Sequence, residues 1–189
     1  VWGQKRGGAL GKFAFVNSIA IDKQTGNIFV ADSLNRRVVA LTLKGKIKWV
    51  VGKPNKRSTL LSYFGLPKGL VVDDFGRVIV SDTFNHRLVV LDAKDGSLVT
   101  VLGKRGVKDG QFNFPEGIAL FGNRLAVADR ANNRVQLFIV GANLPAPPKG
   151  ENSLFKVNHF KPKKGKSYLG QVPVKKYQAG GKLLPGQKL

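Results

Sequence analysis

Three carboxylates recur in one register of this chain. They open the hexapeptides Asp32-Ser33-Leu34-Asn35-Arg36-Arg37, Asp82-Thr83-Phe84-Asn85-His86-Arg87 and Asp129-Arg130-Ala131-Asn132-Asn133-Arg134, each reading Asp-x-x-Asn-x-Arg. Two kinds of chemistry fit such a set. Three convergent aspartates would suit a metal or an acid–base site. Alternatively, Asp and Asn bond nearby backbone in a tight connection, Asn tolerates left-handed geometry, and Arg37, Arg87 and Arg134 reach back to the Asp as charge-assisted pairs. Recurrence at one place in every repeat favours the structural role.

The remaining candidates for catalysis are sparse. His86 and His159 stand far apart and give no ligand spacing. Asp73 and Asp74 are the one adjacent carboxylate pair, and neighbours in a strand point to opposite faces, so they read as turn chemistry. Zero cysteines exclude disulfides, thiolate catalysis and Cys metal sites. No nucleophile elbow, phosphate-binding loop or dinucleotide fingerprint occurs. Gly7-Gly8 and Gly103 to Gly106 are Gly-basic loops able to touch phosphate, although backbone turns are their commoner use. No catalytic residue, metal or cofactor is expected.

Short apolar runs flank each hexapeptide. Ile28 to Ala31, Val78 to Ser81 and Leu125 to Ala128 precede it, and Val38 to Leu41, Leu88 to Leu91 and Val135 to Phe138 follow. An earlier strand (Ser18 to Asp22, Gly69 to Asp73, Gly117 to Phe121) leads each copy, with turns at Gly26-Asn27, Phe75-Gly76 and Gly122-Asn123. Further hairpins are expected at Lys44-Gly45 and Asp95-Gly96. The copies are spaced 50 and 47 residues apart. A period of that length with strands throughout predicts propeller blades, all-β and four-stranded. Pro145-Ala146-Pro147-Pro148 breaks the third copy before its fourth strand, which Ser153 to Val157 would resume at an edge.

With Leu66-Pro67-Lys68-Gly69 and Phe114-Pro115-Glu116-Gly117 ahead of two copies, and Asn85-His86-Arg87-Leu88 in the second, the chain resembles the NHL repeat family over roughly its first three quarters. Copy one departs, with Val16-Asn17-Ser18 in place of Pro-x-Gly and Arg36 at the His position; copy three lacks the acid after its first strand. The resemblance implies six-bladed rings, of which three blades are half. It makes His86 a turn position. It also brings in the peptide-amidating lyases, metal-dependent propellers rich in His and disulfides, which this composition matches poorly. Some NHL propellers bind single-stranded RNA on a positive face.

Charge points the same way. The chain has 189 residues and a net charge of +21, from 32 basic and 11 acidic side chains. Self-repulsion on this scale calls for a polyanionic partner. Blades are expected at about 1–52, 53–103 and 104–157, and an extended basic tail at 158–189 whose eight lysines meet no acid. Opening on Val1 inside a glycine-rich lead-in, the chain reads as part of a longer parent. The missing blades would come from an upstream segment or a second chain. No apolar run approaches the ~20 residues of a membrane helix.

Three basic clusters occupy equivalent interblade connections, Lys5 and Arg6, then Lys53, Lys56 and Arg57, then Lys104, Arg105 and Lys108. With Lys161, Lys163, Lys164, Lys166, Lys175 and Lys176 of the tail they form the expected polyanion-binding surface. The leading reading is a non-enzymatic scaffold on structural RNA of a ribonucleoprotein, such as an organellar (mitochondrial) ribosome. The alternative is a protein-interaction propeller whose tail threads over acidic subunits. A lyase-like enzyme comes third.

Overall fold

A computed structural model describes residues 2–3, 5–52 and 63–145, with the backbone of 157–159. Blade one is an antiparallel meander of β1 (Val16–Ile21), β2 (Ile28–Asp32), β3 (Arg37–Leu41) and β4 (Ile47–Gly52). Blade two repeats it with β5 (Pro67–Val72), β6 (Arg77–Asp82), β7 (Arg87–Asp92) and β8 (Leu98–Leu102). Blade three has β9 (Pro115–Phe121), β10 (Arg124–Asp129) and β11 (Arg134–Ile139). Its sequence-expected first strand began at Gly117. The strand instead opens on Pro115, as β5 opens on Pro67, because a proline is tolerated at the first ladder position.

The fourth strand of blade three differs from expectation. Residues 153–156 lie outside the described residues. Val157 belongs to β12 (Val157–His159), which pairs antiparallel with β4 and extends blade one, not blade three. The outer strand β4 offers a free ladder edge, and backbone pairing there needs no particular side chain.

The blades pack face to face. β1 lies beside β5 and β5 beside β9, so these three are the innermost strands. Between blades one and two, Phe29, Val38, Ala40, Trp49 and Val51 meet Leu70, Val78, Val80, Val89 and Leu91. Between blades two and three, Ile79, Leu88 and Val90 meet Phe112, Leu125 and Val127. A middle strand covered on both faces must be apolar at every position, which is why β2 reads Ile-Phe-Val-Ala without alternation. Trp49 fastens the first junction. Its ring lies 5.5 Å from Phe29 and its Nε1–H donates to the Ala93 carbonyl at 3.2 Å. Gly96 (φ +80°) runs beneath that indole, where a Cβ would come within 2.8 Å of it.

Candidate nucleic-acid interface

The three hexapeptides sit between the second and third strand of each blade, and each performs the same task. One carboxylate oxygen accepts a backbone N–H from the lead-in loop that enters the blade: Ala14 on Asp32 at 2.7 Å, Gly65 on Asp82 at 2.7 Å, Asn113 on Asp129 at 2.6 Å. The other oxygen accepts the Asn side-chain amide at 2.8 Å in every copy. It also accepts the Arg Nε–H, at 2.7, 3.0 and 2.9 Å for Arg37, Arg87 and Arg134. Asn35, Asn85 and Asn132 donate their second amide hydrogen to the lead-in carbonyls of Gly7, Tyr63 and Gly106. Arg37 donates onward to Gly8 and Lys12, and Arg134 to Lys108 and Gln111.

The motif is therefore a clamp on the lead-in loop, and not a local turn bonding its own backbone. Asp82 and Asp129 make no capping bond to the short 3-10 turns that follow them. The left-handed residue is also one position later than expected. It is Arg36, His86 and Asn133, at φ between 52° and 54°, while the Asn side chains before them are committed to the clamp. All three aspartates are fully buried, each against its own guanidinium. They do not converge, and no group of three His, Asp or Glu able to hold a metal occurs among the described residues. Burial pushes the Asp129 carboxyl up, but the hydrogen bonds from Asn113, Asn132, Arg134 and Gln136 outweigh it and hold it below the ordinary carboxylate range.

His86 links two blades. Its Nδ1 accepts the Phe114 N–H at 3.1 Å and its ring packs edge-on against Phe114 at 4.5 Å. Burial, with the Arg105 charge nearby, pushes its pKa below the ordinary value. Asp73 is spent on its turn, accepting from the backbone of Phe75 and Arg77 and from Arg77 Nε at 2.7 Å. Asp22 is likewise bonded by Gln24 and Thr25. These two line a cavity of about 310 Å³ at the far ends of the inner strands, with Ile21, Val72 and Leu120.

Because the clamps fix the lead-in loops, they also fix the basic residues those loops carry. Lys5, Arg6, Lys104, Arg105 and Lys108 are exposed on the clamp end of the blades, and the two loops are alike down to the bridges Arg6–Phe13 and Arg105–Phe112. Two acids share this end: Glu116 pairs with Lys68 and Arg130, and Asp109, exposed beside Lys108, lies 3.6 Å from Arg134. The opposite end is closer to balance, with Asp22, Asp73, Asp74, Asp92 and Asp95 among Lys23, Lys44, Lys46, Arg77, Lys94 and Arg124 at its turns. Lys53, Lys56, Arg57, Lys161, Lys163, Lys164, Lys166, Lys175 and Lys176 lie outside the described residues. Sequence reading missed Lys12 and Lys68. Lys12 is exposed on the first lead-in loop, and Lys68, the second residue of β5, lies at the same end paired with Glu116.

Comparison with known proteins agrees with this architecture. A family model described as NHL repeat matches residues 64–91 and 112–138. NHL repeat-containing protein 3 of Mus musculus is 36% identical over 100 residues, covering 50% of this chain and 28% of that protein. Peptidyl-glycine alpha-amidating monooxygenase of Mus musculus is 30% identical over 135 residues, covering 67% of this chain and 14% of that protein. The chain thus spans under a third of the length of these curated relatives. A structural genomics protein of unknown function from Bacteroides thetaiotaomicron superposes with a TM-score of 0.53 at 22% identity, over 64% of this chain and 34% of that one, a likeness of fold. The chain carries NHL repeats at residues 64–91 and 112–138, and blade one, with its own Asp32–Asn35–Arg37 clamp, is built on the same plan.

Proposed function

We propose that the chain is a non-enzymatic NHL-repeat scaffold that binds RNA within a larger ribonucleoprotein assembly. One observation carries this reading. The clamp end gathers Lys5, Arg6, Lys104, Arg105 and Lys108, all exposed, on loops held by the clamps, where Asp109 is the one exposed acid among the described residues. Lysine and arginine on such loops contact phosphates by charge, which gives affinity and orientation with little base reading. The basic segment 158–189, with eight lysines and no acid, adds further phosphate contacts. The amidating relative is an enzyme by its name. The carboxylates described here are engaged in clamps and turns, which favours the scaffold reading over a lyase-like one.

The test is a salt titration of binding to a single-stranded RNA. Lys104→Glu, Arg105→Glu and Lys108→Glu together weaken binding at low salt, and the slope of log affinity against log salt becomes shallower by about 0.7 for each lost phosphate contact. Deletion of 158–189 acts in the same direction, with little change in sequence preference. If RNA affinity is untouched while acidic protein subunits no longer co-purify, the RNA reading is wrong and the protein-interaction reading replaces it.

A further inference from the structure

The blades stack through faces of one kind, and on blade three that face is exposed. Blade one presents Phe29, Val38 and Ala40 to blade two, and blade two presents Ile79, Leu88 and Val90 to blade three, all buried. The same positions of blade three are Ala126, Val135 and Leu137. Val135 is 67% exposed and Leu137 77%, joined by Ile139 at 69% and Phe121 at 86%. Strand register puts these on one side of the sheet, with Ala126 opposite Leu137, and Arg124 between Phe121 and Ile139 at the rim. A contiguous apolar face of this kind marks an interaction surface.

A matching edge is exposed at the other end. Ile19 and Ile21 occupy the places of Leu70 and Val72 in blade two and of Ile118 and Leu120 in blade three, which pack into the two interblade cores. In β1 they are 62% and 54% exposed. The junction latch is also split between the two ends. Across blades two and three, left-handed His86 accepts the N–H of Phe114, itself at φ 54°. Asn133 holds the place of His86 with the same left-handed backbone, and Phe15, at φ 60° and 69% exposed, holds the place of Phe114.

We infer that blade three of one copy packs on the inner strand of blade one in a second copy, and the reverse, so that two chains pair head to tail about a two-fold axis. Each chain has one projecting face and one receiving edge, so a single rotation satisfies both ends of both copies. The outer half of the blade-one face is already buried around Leu10 and Phe13, so the contact runs along β1. This inference does not rest on RNA binding.

Sedimentation velocity of the full chain over a concentration series tests it. The wild type sediments as a dimer. Leu137→Glu and Ile19→Glu each weaken it by about tenfold or more, as expected for losing one buried aliphatic contact at each junction. Circular dichroism confirms that these surface variants remain folded. Mixing the two variants restores part of the association, because one junction of the mixed pair then joins two unaltered faces. A folded wild-type monomer at all concentrations overturns the inference. So does a dimer broken by Leu137→Glu and indifferent to Ile19→Glu, which would mean blade three packed on itself.

Discussion

Replacing Asp129 by asparagine tests the clamp most sharply, since it keeps the shape and removes the charge. The carboxylate accepts from Asn113 N–H at 2.6 Å on one oxygen, and on the other from Asn132 at 2.8 Å, Arg134 at 2.9 Å and Gln136 at 3.1 Å. An amide supplies one acceptor oxygen and one NH2. With the oxygen turned to Asn113, the NH2 faces three donors and satisfies none of them. Breaking a buried ion pair from one side costs about 3–5 kcal/mol. Arg134 is 27% exposed, and its access to water puts the value near the lower limit. At about 2–4 °C per kcal/mol for a chain of this length, the melting temperature falls by roughly 6–12 °C. Amide exchange in 103–113 speeds up as well, because Asn132 and Arg134 lose the anchor that aims them at Gly106, Lys108 and Gln111. The measurement is a thermal melt with hydrogen exchange, with Asp74→Asn as the matched loss of an exposed charge away from the clamp. A melt as high as that of Asp74→Asn, with unchanged exchange in the lead-in, would refute the clamp.

The pH dependence follows from the same groups. The Asp129 carboxyl lies below its ordinary value in the fold, so its contribution is present above about 3.8 and is lost as pH falls through the lowered folded pKa; the acid limb of a stability-versus-pH curve is accordingly shallower in Asp129→Asn. His86 is also lowered, so below its ordinary 6.5 the unfolded chain takes up a proton that the fold resists, and stability drops on acidification; His86→Gln removes that part of the slope, and equal slopes in both proteins would contradict the Phe114 latch. Trp49→Phe leaves the Ala93 carbonyl without its donor at the first junction and costs about 1–3 kcal/mol in a denaturant melt.

Strand positions and repeat spacing were legible in the chain itself, because a middle strand buried on both faces has to be apolar throughout and turns need Gly, Asn or Asp. Those are local demands, met within a few residues. Asp32, Asp82 and Asp129 announced a structural role by recurring, and their pairing with an arginine five residues on follows from a hairpin that places the two opposite each other. What they hold did not follow. The clamp's other partners lie 16 to 29 residues back in the lead-in loops, at distances that only packing determines. Nor did the sequence separate Val38 and Leu88 from Val135. All three are β-branched or aliphatic residues after the clamp arginine, yet two are buried and the third is exposed, since burial depends on what packs against the blade. The direction of β12 is of the same kind: Val157–His159 carries no signal for its partner, because ladder hydrogen bonds are made by backbone that every residue shares. Sequence alone thus determined the blade and its repeating parts, through local patterning. Tertiary structure alone decided what each clamp grips, which end gathers the basic loops and which faces remain uncovered, because these depend on contacts between segments far apart in the chain.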